Sequence, residues 1–180
     1  MSFLKTFIEC FVVWRAKGTF MPNDGRADAI LVHAGGNATD GSPGEINRFL
    51  ALVVRQLHTE TRLPIIAQGE IVPCLHGLPL YGYIPTQKEY VKYLNTVDVA
   101  QMQKAVLEAQ GWKHPILVSY QPHIWRAGKV LKKIGVDVLM ADVSQVVYDK
   151  RCVQKWMRSP WLNYPRELVC RLVWLFQGKI

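Results

Sequence analysis

A histidine and an arginine stand three residues apart in the segment "SYQPHIWRAGKV", which follows the apolar run "ILV". Pro122 suits the first turn of a helix, so His123 and Arg126 would share one helical face. A guanidinium is a planar fork of donors for a phosphate or carboxylate, and an imidazole can donate, accept or transfer a proton near neutral pH. We therefore predict that His123 and Arg126 belong to a binding or catalytic site. The alternative is a histidine that only makes a structural hydrogen bond.

A glycine-containing loop, "HAGGNATDGSPGE", forms a second candidate, because it follows the apolar run "AILV". Gly35 and Gly36, with Asn37 beside them, would let the backbone approach a ligand closely, and the next helix start would add partial positive charge. The loop matches neither the dinucleotide fingerprint nor the phosphate-binding P-loop. An ordinary strand–turn–helix connection is therefore an equal alternative. Ser119, which ends the run before Pro122, is a further candidate ligand contact.

Two more candidates follow the apolar run "LPIIAQ" and precede the helical pattern "VDVAQMQKAVLEAQ". Gly69 suits a tight turn, and Glu70 beside it could accept a hydrogen bond from a ribose or an amine, or act as a base. Asn95 or Thr96 can cap a helix whose first turn contains Asp98, and we assign Asp98 the same acid–base role as Glu70. The alternatives are an exposed loop carboxylate at Glu70 and a purely structural helix cap.

The elements that must position these residues alternate between strand-like and helix-like segments. This alternation predicts an α/β fold, a Rossmann-like three-layer sandwich with a mainly parallel sheet and helices on both faces. Ligands bind such sheets at the carboxyl ends of the strands, which would gather the candidates at one rim. The predicted strands are 28–35, 63–69, 114–120 and 136–143, and the helices between them are 42–60 (capped by Ser42), 95–111 and 122–135, with no clear periodicity in 70–94.

Apolar segments at both ends of the sequence predict two further helices, in "FLKTFIECFVVW" and in "PRELVCRLVWLFQGKI", where Pro165 suits a helix start. We expect one domain over 1–180, with 1–22 as an apolar helix packed on the core. The first segment is too short to span a bilayer. Helices lying on a membrane are the alternative, helped by Lys5, Arg15 and Lys17.

The net charge of +8 favours anionic partners; the alternative is an ordinary solvated basic surface. The charge is spread through the chain, and aromatic RNA-binding motifs and zinc-finger spacings are absent, so nucleic acid is not an expected partner. His33, His76 and His123 show no metal-ligand spacing, so we predict no metal. The four cysteines form no CxxC pair, which favours a reduced, cytoplasmic setting.

The sequence resembles the ElyC/SanA/YdcF family, a poorly characterised bacterial family. The similar parts are the glycine cluster after the first strand, Gly69 after the second, "NTVD" at a helix start and "SYQPHIWRA" before the next helix. The sequence departs from the family pattern at Asn37, where a third glycine is common, and at Asp98, which replaces a glutamate. Gln68 and Glu70 replace the serine and the second glycine that flank Gly69 in the family pattern. The segment from Cys74 to Tyr83 does not follow the family pattern.

The resemblance implies a Rossmann-like domain whose polar cluster binds a nucleotide-like ligand, with S-adenosylmethionine as one suggestion; it establishes no reaction. The first functional hypothesis is a site for a small nucleotide- or phosphate-containing molecule, built from the residues named above. The sequence does not decide whether the protein also converts that molecule in a reaction. The second is a non-catalytic protein of the cell envelope, which docks on a membrane or a partner through its apolar end helices and basic surface.

Overall fold

The computed structural model describes residues 3–14, 17–20, 25–86, 94–143, 145 and 147–180. Within them lie five strands and five α-helices, with short 3₁₀ helices at Gly69–Leu75 and Lys155–Arg158. The strands are β1 (Ile30–Val32), β2 (Ile65–Gln68), β3 (Leu80–Ile84), β4 (Ile116–Val118) and β5 (Leu139–Met140). The helices are α1 (Phe3–Val12), α2 (Glu45–Thr61), α3 (Thr96–Gln110), α4 (Gln121–Lys133) and α5 (Pro160–Phe176).

All five strands are parallel and form one sheet in the order β3-β2-β1-β4-β5. The chain starts in the middle of the sheet, builds outward to β3, and then crosses back to β4 beside β1, where Ile30 pairs with Ile116. Right-handed crossovers place α2 on one face of the sheet and α3 and α4 on the other. The predicted Rossmann-like α/β fold is confirmed, and its topological switch point lies between the ends of β1 and β4.

The centre of the sheet is buried on both faces, which explains the uninterrupted apolar runs in its strands. Every residue of β1 and β4 is buried. Helix α2 covers one face with residues spaced three or four apart, as the helical period requires. These are Ile46, Leu50, Val54 and Leu57.

Helices α1 and α5 form an antiparallel pair on the α4 side of the molecule. The rings of Phe3 and Phe176 lie 5.9 Å apart at one end of the pair, and those of Trp14 and Tyr164 lie 5.0 Å apart at the other. Arg171 of α5 fixes the pair from inside, because its Nη1 donates to the carbonyl of Val13 at 2.7 Å. Helix α5 thus lies over α4, beside the carboxyl end of the sheet.

Three boundaries differ from the predictions. Strand β3 lies in the segment where the sequence showed no periodicity, because it is an edge strand with three of its five side chains exposed. Helix α5 begins at Pro160, so Pro165 lies inside the helix rather than at its start. The first helix ends at Val12; residues 1, 2, 15, 16, 21 and 22 of the predicted 1–22 segment, and 87–93 of the middle loop, lie outside the described residues.

Helix α2 also starts differently from the prediction. Gly44 is its N-cap, and the hydroxyl of Ser42 donates instead to Asp40 in a local turn. A distant carboxylate takes over the cap, since Asp149 Oδ2 accepts the backbone N–H of Glu45 at 2.9 Å. A buried carboxylate at a helix N-terminus is favoured by the helix dipole as well as by the hydrogen bond.

Candidate functional site

A cavity of about 290 Å³ lies at the carboxyl ends of the strands, under helix α5. His33 enters it from the end of β1, and His123 and Arg126 from the first turns of α4. Asn95 and Thr96, at the start of α3, line it from the side. Four of the predicted site residues therefore meet at one place, at the switch point where Rossmann-like folds bind their ligands.

The guanidinium of Arg126 reaches the cavity, but it is already paired with the carboxylate of Glu167. Its Nε and Nη2 donate to the two oxygens of Glu167 at 2.9 and 3.0 Å, and its Nη1 donates to the Thr96 hydroxyl at 3.3 Å. The indole of Trp174 lies 4.5 Å below the guanidinium. Arg126 thus orders the wall of the cavity through Glu167 and Thr96, and two of its five N–H groups remain outside these three bonds.

His33 and His123 form a neutral pair in the cavity wall, with ring centroids 6.0 Å apart. Burial lowers the pKa of His33 to about 4. Burial, followed by the charge of Arg126, lowers the pKa of His123 well below its ordinary value of 6.5. Both imidazoles are therefore uncharged at neutral pH. Such groups accept protons or donate single hydrogen bonds, and they add no charge to the cavity.

A hydrogen-bonded chain fixes the tautomer of His33. Gln103 directs its amide nitrogen to the carbonyl of Val32 at 3.5 Å, so its amide oxygen faces His33. His33 Nε2 lies 2.8 Å from that oxygen and must carry the proton. Nδ1 of His33 is then the unprotonated nitrogen, able to accept a hydrogen bond or a proton.

Helix α5 and the residues after it contribute cations that the sequence analysis missed. Arg166 and Lys179 line the cavity, and the guanidinium of Arg166 lies 3.8 Å from the ring centre of Trp156. Within the described part of the chain, no carboxylate pairs with Arg166. Glu167 is the one acid among the described lining residues, and Arg126 neutralises it. The cavity therefore carries an excess of positive charge.

Asn163, one turn before Glu167, is a buried polar group in the cavity wall. It is 5% exposed, and its amide oxygen has no hydrogen-bond partner among the described residues. A buried polar atom without a partner costs free energy unless a ligand or water satisfies it. The spacing of Asn163, Arg166, Glu167 and Cys170 (i, i+3, i+4, i+7) places them on one helical face. That polar stripe in an otherwise apolar segment is the sequence signal for this wall.

The predicted glycine loop lies behind the cavity rather than in its lining. The N–H of Gly35 donates to Asn47 Oδ1 at 2.7 Å, and that of Gly36 contacts Met157 Sδ at 3.3 Å. A Cβ at Gly35 would come within 2.5 Å of the Ile46 side chain. Asn37 accepts a hydrogen bond from the Asn47 amide. These residues pack the loop tightly against α2. The N–H groups of both glycines already have acceptors within the protein.

The remaining predicted residues lie outside the lining of the cavity, where their contacts stabilise local structure. Asp98 completes a capping box, since its carboxylate accepts the N–H of Asn95 at 3.1 Å. Gly69 packs closely against Tyr83 and Thr86. Glu70 lies in the 3₁₀ helix after β2, where its carbonyl accepts from Asn47. Ser119 is fully buried, with no hydrogen-bond partner for its hydroxyl among the described residues.

S-adenosylmethionine fits the described wall only in part. Its carboxylate could pair with Arg166 or Lys179, but its sulfonium and ammonium cations have no free acid to face, because the one carboxylate in the described wall is bound to Arg126. Like charges placed together in a partly buried site are unfavourable. Nor do the described residues contain a cluster of three histidine, cysteine or acidic side chains that could hold a metal ion.

Comparison with family models, with curated proteins and with solved structures finds no match to this chain. The similarity of its motifs to the ElyC/SanA/YdcF family therefore stays an expectation from the sequence. Function is therefore inferred from the cavity itself, its charge and its buried polar groups.

Proposed function

We propose that the protein binds a small anionic molecule, a phosphate-containing or nucleotide-like compound, in the cavity between β1, β4 and α5. The observation that carries the proposal is Arg166, a cation without a carboxylate partner in the described structure. A guanidinium presents paired donors that match the geometry of phosphate oxygens. Arg166 would hold the anion, and the unsatisfied amide oxygen of Asn163 in the same wall would accept a hydrogen bond from a hydroxyl of the same ligand.

The size of the cavity limits the ligand. Its volume of about 290 Å³ lies at the lower end of the range for small-molecule sites, roughly 300–1,000 Å³. A sugar phosphate would fit within such a volume, and a nucleotide would extend partly into solvent. Trp156 and Trp174 also line the cavity, where their rings stack on the guanidinium groups of Arg166 and Arg126.

The two neutral histidines supply the groups for proton transfer at this site. His123 faces the cavity at the start of α4, and its imidazole, uncharged at neutral pH, can accept a proton from a bound hydroxyl or water. His33 is held in one tautomer by Gln103 and would accept a hydrogen bond at Nδ1. Binding is the proposed function; these residues are where catalysis would occur in an enzyme.

Thermal-shift measurements with inorganic phosphate, ribose 5-phosphate, adenosine monophosphate and S-adenosylmethionine test the proposal. We expect one or more of the phosphate compounds to stabilise the protein, and S-adenosylmethionine to have no effect. Arg166→Gln should weaken binding about 10- to 100-fold, the value of a charge-assisted hydrogen bond. Arg48→Gln, the same change at an exposed arginine of α2, should leave binding within about twofold.

Two results would contradict the proposal. The first is that none of the phosphate compounds stabilises the wild-type protein at high concentration. The second is that Arg166→Gln and Arg48→Gln weaken binding equally, since that would indicate a general charge effect rather than a site.

A further inference from the structure

The outer faces of α1 and α5 carry large apolar side chains that nothing in the described structure covers. Leu4 is 64% exposed and Trp161 is 86% exposed. Scattered apolar residues are normal on a protein surface, but a contiguous stripe marks an interaction site. We call this surface the outer apolar face; it consists of Phe3, Leu4, Ile8, Phe11 and Val12 of α1 with Trp161, Leu162, Val169, Val173 and Phe176 of α5.

The two stripes are continuous because the helices lie antiparallel and in contact. Phe3 touches Phe176 at one end, and both rings are more than half exposed. The inner sides are fixed in place, since Arg171 donates to the carbonyls of Cys10 and Val13 at the end of α1. The apolar groups are therefore presented on two anchored helices.

The charges around the outer apolar face are basic. Lys5 on α1 and Lys179 after α5 are exposed. The acidic residues of α1 and α5 do not present a free carboxylate to this face, because Glu9 pairs with Lys129 and Glu167 is buried. An apolar stripe bordered by lysines and lacking a free carboxylate has the character of a helix that lies in a membrane interface.

We propose that the outer apolar face docks the protein on a membrane surface that contains anionic lipids, with α1 and α5 lying parallel to it. None of the helices in the described residues is long and apolar enough to cross a bilayer. Charge complementarity favours lipid over a second copy of the chain. Anionic headgroups would attract the lysines at the border, whereas two copies would add like charges to the same interface. The proposal is independent of the ligand in the cavity.

Sedimentation with vesicles tests this proposal. Vesicles of phosphatidylcholine alone are compared with vesicles that also contain phosphatidylglycerol, at low and at high salt. We expect the wild-type protein to sediment with the anionic vesicles at low salt and less at high salt. Leu4→Glu and Val169→Glu should each weaken partitioning about tenfold, because each places a charge in the apolar contact.

The matched control is Leu52→Glu on α2, since Leu52 is 65% exposed and lies on the other face of the sheet. It should sediment as the wild type does, and circular dichroism should show that all three variants fold. Absence of sedimentation with anionic vesicles at low salt would overturn the proposal, as would equal loss in Leu52→Glu. A dimer in light scattering that Leu4→Glu abolishes, without vesicle binding, would assign the face to a second copy instead.

Discussion

The carboxylate of Glu167 holds the guanidinium of Arg126 in a two-point ion pair, with N–O distances of 2.9 and 3.0 Å. Arg171 donates to the same carboxylate at 3.3 Å from one turn further along α5. All three side chains are buried, so one acid compensates two cations in the interior. This network ties α5 to α4 and builds the wall that the proposed ligand would face.

Removal of the Glu167 charge should therefore lower the free energy of unfolding strongly. Glu167→Gln leaves Arg126 and Arg171 buried without a carboxylate, and breaking a buried ion pair costs about 3–5 kcal/mol. Urea unfolding measures the loss. Glu45→Gln removes exposed pairs with Arg48 and Arg151 and should cost about 1 kcal/mol. Equal, small losses in both variants would show that the network does not stabilise the fold.

The neutral histidines should make the fold sensitive to mild acid. The pKa of His33 is about 4 in the folded protein and near 6.5 in the unfolded chain, so the unfolded chain binds the proton first as the pH falls. Stability should fall by about 2 kcal/mol from His33 alone between about pH 7 and pH 5, and His123 should add to the loss. Urea unfolding at several pH values measures the slope.

The matched variants for this pH dependence are His33→Gln and His76→Gln. His33→Gln should flatten the slope between pH 7 and pH 5, because the buried group that resists protonation is gone. His76 is exposed, so His76→Gln should keep the wild-type slope. A wild-type stability that does not change over this range would show that the imidazole of residue 33 is accessible to protons.

The electrostatic link between Arg166 and His123 gives a prediction inside the cavity. Arg166 is one of the cations that, after burial and Arg126, lower the pKa of His123. Arg166→Gln should raise that pKa, and an anion bound at Arg166 should raise it in the wild-type protein too. Titration of the imidazole by NMR measures both shifts, with Arg48→Gln as the control. An unchanged His123 pKa in Arg166→Gln would place Arg166 away from the imidazole.

The tight packing of the glycine loop predicts opposite effects of alanine at two glycines. Gly35→Ala would push a methyl group against the Ile46 side chain at 2.5–2.8 Å, and we expect a loss of about 1–3 kcal/mol. Gly128→Ala, inside α4, meets Met140 only at ordinary contact distance and should stabilise the protein by about 0.5–1 kcal/mol. Thermal unfolding of both variants measures the two effects. A Gly35→Ala variant as stable as the wild type would contradict the tight packing of the loop.

The rim of the sheet could be predicted because it depends on local patterns. Short apolar runs mark buried parallel strands, and their carboxyl ends must meet at one edge, which brought His123 and Arg126 beside the end of β1. Edge strand β3 did not show the same pattern, since Leu80, Tyr81 and Tyr83 are exposed.

The chemistry of the wall depends on contacts between distant segments, which one sequence does not reveal. The sequence indicates a free anion ligand at Arg126, because its partner Glu167 lies 41 residues away. Asp149 caps α2 from 104 residues away, so the local signal at Ser42 was misleading. The polar stripe from Asn163 to Cys170 was present in the sequence, but the apolar character of α5 concealed it.

The most direct measurement is a crystal structure with whichever of inorganic phosphate, ribose 5-phosphate and adenosine monophosphate binds most tightly in calorimetry. We expect a phosphate within hydrogen-bonding distance of the Arg166 guanidinium, in the cavity beside Asn163 and His123. Absence of heat of binding for all three compounds, together with a cavity that contains only water, would contradict the proposed function. So would a phosphate bound at another surface, with Arg166 still stacked on Trp156 and away from the ligand.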